Sequence, residues 1–113
     1  MTQDTYKFAG EVELEDLGDG ITRQILGYGP DLMTCRLTFP QGAVGAVHSH
    51  RHSQTSYCEA GRFLYRVDSA EREIGPGDCV YIAPHQQHGL VCLEEGVIID
   101  SFSPLRADFL GQP

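Results

Sequence analysis

The sequence is short of positive charge. Eight Lys and Arg stand against 16 Asp and Glu, a net charge of −8, and no basic cluster offsets that balance locally. A surface of this sign repels the phosphates of nucleic acid and the anionic face of a bilayer, so neither is expected as a partner. A small organic acid is not excluded, because one guanidinium binds a carboxylate bidentately whatever the net charge. Long apolar runs are also missing. No segment approaches the roughly 20 apolar residues of a membrane-crossing helix, and the opening MTQDTYKFAGEVELED has no apolar stretch behind a basic one, which reads as a cytoplasmic protein. No CxxC pair occurs: Cys35, Cys58, Cys79 and Cys92 are dispersed, against a zinc knuckle or redox dithiol and in favour of small, reduced core residues. Repeats, linkers and long segments with helical spacing of apolar residues are absent too, which excludes a helix bundle.

What is present is strand-forming. At 113 residues the chain suits a single core, since two halves would each be too small to bury one. Met33 to Phe39 alternates apolar and polar residues strictly, so its odd-numbered side chains are expected to face the core. Further strand-like runs are Ala43 to Ser49, Gln54 to Ala60, Arg62 to Val67, Cys79 to Ala83, Gly89 to Leu93 and Val97 to Phe102. Pro40-Gln41-Gly42, Gly61, Asp68-Ser69-Ala70 and Gly75-Pro76-Gly77-Asp78 mark the reversals. Many short strands between regular turns predict an all-β sandwich or barrel. Thr22 to Gly27 reads as an additional edge strand. Residues 1–18 read as an N-terminal segment, edge strand or mobile, before a barrel domain at 19–113. Arg106 to Leu110, after Ser103-Pro104, is the one helix candidate, too short to matter to the core.

The anomaly is the polar stretch His48-Ser49-His50-Arg51-His52-Ser53-Gln54 on strand-forming sequence. In an extended chain residues two apart share a face, so His48, His50 and Gln54 can converge in a barrel interior. His88, in the loop Pro84 to His88, can add a third imidazole. Three neutral nitrogens and an amide oxygen suit one divalent transition metal, and nickel, zinc, iron and manganese all remain open. His52 is expected behind the site or at the surface, and His85 in a loop. Phe63, Tyr65 and Val67 read as core, with Arg62 and Arg66 solvated. Tyr57 and Tyr81 read as packed residues with hydroxyls at water.

These positions resemble the cupins, whose first motif is G(X)5HXH(X)3,4E(X)6G. Gly42, His48, His50 and Gly61 match, and Gln54 stands where Glu is usual. The second motif, G(X)5PXG(X)2H(X)3N, is met more loosely by Gly77, Pro84 (one place shifted) and His88, with Cys92 at the Asn position. The resemblance implies a small single-domain cupin barrel, a double-stranded β-helix or jelly roll. A narrower similarity, to the pectin-degradation cupins called KdgF, rests on Glu15 to Gly18, Gly45 to Tyr57, His88-Gly89, Val91 to Glu94 and Asp100 to Leu110. It includes the exchange of the Glu ligand for Gln54. Arg51, where Pro is common, is a departure.

That similarity implies a metal-dependent isomerase that opens, or linearises, 4,5-unsaturated monouronates from pectin or alginate breakdown. Asp100, Phe102 and Arg106 fall on the proposed catalytic positions, and a small sugar acid would be the substrate. It also implies a homodimer paired through edge strands. Two other classes share the barrel: a cupin dioxygenase acting on a small organic substrate, which normally keeps the carboxylate ligand, and a non-catalytic metal or sugar-acid binding module. Without the resemblance, Asp100 would be a hydrogen-bonded strand carboxylate, Phe102 core and Arg106 a tail residue held by an acid.

Overall fold

A computed structural model describes residues 5–112; residues 1–4 of the N-terminal segment and Pro113 lie outside them. Eight strands follow in order: β1 Glu15–Gly18, β2 Ile21–Gly29, β3 Leu32–Phe39, β4 Val44–His48, β5 Ser53–Val67, β6 Ala70–Ile74, β7 Cys79–Ile82 and β8 His88–Ser103. A 3-10 turn, Ala107–Leu110, closes the chain. All pairings are antiparallel, in the order β1-β2-β3-β8-β5-β6, with β4 added beside β8 and β7 beside β5.

The sheet is curled. Ile21 of β2 and Ile74 of β6, from opposite sides of this order, join one apolar cluster with Phe39, Phe63, Ile82 and Ile98, which a flat sheet would keep apart. The alternation in β3 behaves as its pattern requires: Met33, Cys35 and Phe39 are buried and Leu37 half-buried. Phe63 and Tyr65 are core residues, and Val67 packs against them.

Two pairs of expected strands are fused. Gln54 to Ala60 and Arg62 to Val67 are one strand, β5, with register shifts between Ala60 and Phe63. Gly61, at φ +83, permits the irregularity, and a Cβ there would lie 2.5 Å from Gly96 Cα and from Glu95 O. Glycine therefore serves a bulge and a close backbone approach rather than a reversal. Gly89 to Leu93 and Val97 to Phe102 are likewise one strand, β8.

Other expectations are corrected by position. The Thr22 to Gly27 run lies within β2, which is flanked on both sides by β1 and β3 and is not an edge. β6 was not expected from the sequence, because Ala70 to Glu73 are all exposed and carry no buried face to pattern. Within the acidic N-terminal segment, β1 pairs with β2, and Gln24 Nε2 donates to the carbonyls of Ala9 (2.8 Å) and Val12 (3.2 Å). The C-terminal turn does matter to packing: Phe109 and Leu110 cover a second cluster of Met33, Cys35 and Phe102. Tyr57 and Tyr81 are exposed rather than packed, and so is Cys79, while Cys35, Cys58 and Cys92 are buried thiols. No helix among the described residues is long and apolar enough to cross a membrane.

Candidate metal centre

β4 and β8 bring His48 and His88 into direct register. The chain leaves β4 at His48, bends through residues 49–52 and enters β5 at Ser53. His50 therefore reaches the site from a loop and not from a shared strand face. Ring centroids of His48 and His88 are 4.3 Å apart, those of His50 and His88 4.9 Å, and the three residues offer ligand atoms all within 4.8 Å of one another. Gln54, buried on β5, sets its Oε1 2.8 Å from His50 Nε2.

The outer nitrogens are all engaged. Nδ1 of His48 lies 2.9 Å from Ala46 O, that of His50 3.1 Å from His52 O and that of His88 3.0 Å from Gln86 O. A carbonyl only accepts, so each Nδ1 carries the proton and each Nε2 presents a lone pair. His88 Nε2 is buried with no hydrogen-bond partner. Burial lowers the His88 pKa to about 4, against the opposing hydrogen bond to the Gln86 carbonyl, and burial likewise lowers that of His50. Neutral imidazoles with Nε2 inward, one of them orphaned, beside a carbonyl oxygen form a donor set that fits a divalent transition metal.

Around this group lies a cavity of about 290 Å³, lined among others by His48, Gln54, His88, Asp100, Phe102 and Arg106. A larger one, about 460 Å³, lies between β6 and β7 and is lined by Arg72, Cys79 and Tyr81 but none of the histidines. Asp100 and Phe102 share an inward face of β8, as their spacing suggested. Burial raises the Asp100 pKa to about 6, against the opposing effect of the Ser56 hydrogen bond. Phe102 is buried, 5.9 Å from His50 and edge-on to Phe109 at 5.6 Å.

Arg106 is held by an acid, Asp108: Nε to Oδ1 at 3.0 Å and Nη2 to Oδ2 at 2.9 Å. Its guanidinium lies 4.1 Å from the Phe109 ring centre and 5.1 Å from that of Phe102. The ion pair occupies one edge of the fork and keeps Asp108 below the usual carboxylate range. His52 is buried behind His50, with rings T-shaped at 5.3 Å. His85 sits in the loop before β8 at φ +70.

Three residues of the site were not singled out from sequence. Ser56 bonds both Gln54 and Asp100; Tyr65, read only as core, bonds Ser56; Phe109 walls the cavity. The available signal was parity: Ser56 follows Gln54 by two residues on the same inward face of β5.

Residues 35–100 match the family model described as Cupin domain. The chain is 43% identical over 107 residues to the pectin degradation protein KdgF of Dickeya dadantii (strain 3937), covering 93% of this chain and 97% of that one. Among solved structures, an RmlC-like cupin from Shewanella frigidimarina NCIMB 400 superposes with TM-score 0.92 at 43% identity, covering 95% of this chain and 96% of the other. KdgF from Halomonas sp. does so with TM-score 0.90 at 36% identity, covering 95% and 99%. The curled sheet is thus the jelly-roll barrel that the motifs implied.

Proposed function

The chain belongs to the cupin family, and from that premise we propose that it is a metal-dependent isomerase opening the ring of 4,5-unsaturated monouronates from pectin or alginate breakdown. The observation that carries the reading is the single cavity in which Asp100, Phe102 and Arg106 meet His48, His88 and Gln54. That cavity pairs a neutral metal-ligand set with one carboxylate and one guanidinium. The name of the Dickeya relative supports a role in pectin breakdown.

The ligands would be His48, His50, Gln54 and His88. Because all four are uncharged, a divalent ion bound there keeps its full charge and supplies Lewis acidity toward a substrate oxygen, lowering the pKa of a hydroxyl.

The remaining work belongs to the chain. Arg106, with one edge of its fork on Asp108, offers its other N–H groups to the substrate carboxylate. Phe102 gives the sugar a flat apolar wall. Asp100 takes the proton of the anomeric hydroxyl as the bond between C1 and the ring oxygen breaks, and the electron pair stays on that oxygen. C1 becomes an aldehyde. The enolate formed across C4 and C5 then takes that proton from Asp100 at C4 and becomes a ketone at C5. Atoms and electrons balance without redox, and Asp100 serves first as base and then as acid.

The test is to add the metal-loaded protein to monouronate from lyase-digested pectin and follow the ultraviolet absorbance of its double bond. Loss of absorbance faster than in buffer supports the reading; no acceleration with any of the four metals overturns it.

A further inference from the structure

We propose that Ser56 is a positioning residue that orients two groups at once, turning the carbonyl of Gln54 toward the histidines and holding the carboxylate of Asp100 in place. Its catalytic consequence rests on the isomerase reading above; its consequence for metal binding does not.

Ser56 is fully buried in β5, directly opposite Asp100 of β8 in the ladder. A hydroxyl has one proton and two lone pairs. The proton goes to Asp100 Oδ1 at 2.5 Å, since an ionised carboxylate only accepts. The lone pairs receive Gln54 Nε2 at 3.0 Å and the hydroxyl of Tyr65 at 2.8 Å. Every bonding position on Oγ is then used, and the direction of each bond is determined.

That polarity reaches the metal ligands. With its NH2 end on Ser56, Gln54 has only its carbonyl left to face His50 Nε2, at 2.8 Å. Turned over, the amide would set Oε1 against an oxygen that has already given its proton to Asp100, and its NH2 toward the ligand nitrogens. With a cation shared between Oε1 and His50 Nε2, the observed orientation satisfies both ends of the amide, whereas the turned one leaves Oε1 facing an acceptor and is disfavoured. Ser56 therefore favours the carbonyl end of Gln54 as the ligand, together with the Asp100 carboxylate that the Gln54 amide also stabilises, and Tyr65 supports the choice from the core side.

The experiment compares the full-length protein with Ser56→Ala and Tyr65→Phe. Zinc and cobalt(II) are titrated against a chromophoric chelator, the visible spectrum of the cobalt form is recorded, and kcat and KM are measured with the monouronate. Ser56→Ala is expected to lower metal affinity about tenfold to a hundredfold, the range typical of groups that orient a ligand. It should alter the cobalt spectrum and lower kcat about tenfold or more with KM within about twofold, since Arg106 is untouched. Tyr65→Phe should move the same quantities less. In a Gln54→Ala background, Ser56→Ala should cost no further metal affinity, a non-additivity that general loosening of the barrel would not produce.

Wild-type affinity and an unchanged cobalt spectrum in Ser56→Ala overturn the proposal. If that variant does not fold, Tyr65→Phe decides on the same two readouts. If the wild type fails to convert the monouronate while Ser56→Ala still weakens metal binding, the isomerase reading falls and the orientation of Gln54 by Ser56 stands.

Discussion

Gln54 Oε1 and His50 Nε2 face one another at 2.8 Å, although the His50 proton is committed at Nδ1 to the carbonyl of His52. Two acceptors at that distance suit a shared cation. Together with His88 Nε2, buried and unpartnered, this makes the metal the first quantity to measure. Protein purified with a divalent metal supplied is expected to retain about one ion per chain, and chelation should abolish turnover. His50→Ala and His88→Ala should each lose the ion in elemental analysis while keeping a β-type circular dichroism spectrum. His52→Ala, which alters a ring behind His50, should keep it.

Gln54→Glu tests whether ligand charge matters. Glu restores the residue usual in the wider cupin motif, so binding should persist or tighten, but the added negative charge weakens Lewis acidity and removes the donor to Ser56. Turnover is expected to fall at least about tenfold, equivalent to roughly 1.4 kcal/mol of lost transition-state stabilisation. Equal kcat in Gln54→Glu and the wild type, at equal metal content, would show that neutral ligation is irrelevant to the reaction.

Asp100 and Arg106 should separate in kinetics. Asp100→Asn keeps the shape of the Ser56 contact but removes the proton carrier, so kcat should drop by about two to four powers of ten while metal content holds. Arg106→Lys retains charge without the fork. Losing one charge-assisted hydrogen bond, roughly 1.5–3 kcal/mol, should appear chiefly as a rise in KM of about tenfold to a hundredfold, with kcat less affected. A full-activity Asp100→Asn protein would remove Asp100 from the mechanism.

Much of this site was readable because strands impose a period of two. Gln54 and Ser56 share one parity on β5, Asp100 and Phe102 another on β8, and the sheet register sets Ser56 against Asp100. The spacing of His48, His50 and His88 was visible, but their meeting depends on β4 pairing with β8, a long-range relation that composition does not encode. The parity of Ser56 with Gln54 is a weak signal, because an isolated Ser in a strand is ordinary until its partners are known. β6 carries no such signal, because Ala70 to Glu73 face solvent, leaving no alternation to read. Cys79 broke the expectation of four buried thiols because β7 leaves it exposed.

The two longest strands of the barrel are held together by a close backbone approach. β5 and β8 run side by side through most of their length and carry Gln54, Ser56, His88 and Asp100. Where their register shifts, Gly61 meets Gly96, and neither tolerates a side chain: a Cβ on Gly61 would lie 2.5 Å from Gly96 Cα, and one on Gly96 would press still closer on Ala60 O. The obstructing atoms are backbone, so no rotamer change relieves the clash. Gly61 also has φ +83, where an L-residue is strained by about 1–3 kcal/mol, and overpacking adds a cost of similar size. Gly61→Ala should therefore destabilise the protein by roughly 2–6 kcal/mol in urea unfolding. Gly77→Ala is the control: its φ is similar, +92, but nothing lies within 4 Å of the added Cβ, so only the conformational part should appear. Equal losses in the two variants would mean that the close approach of β5 and β8 contributes nothing beyond backbone strain.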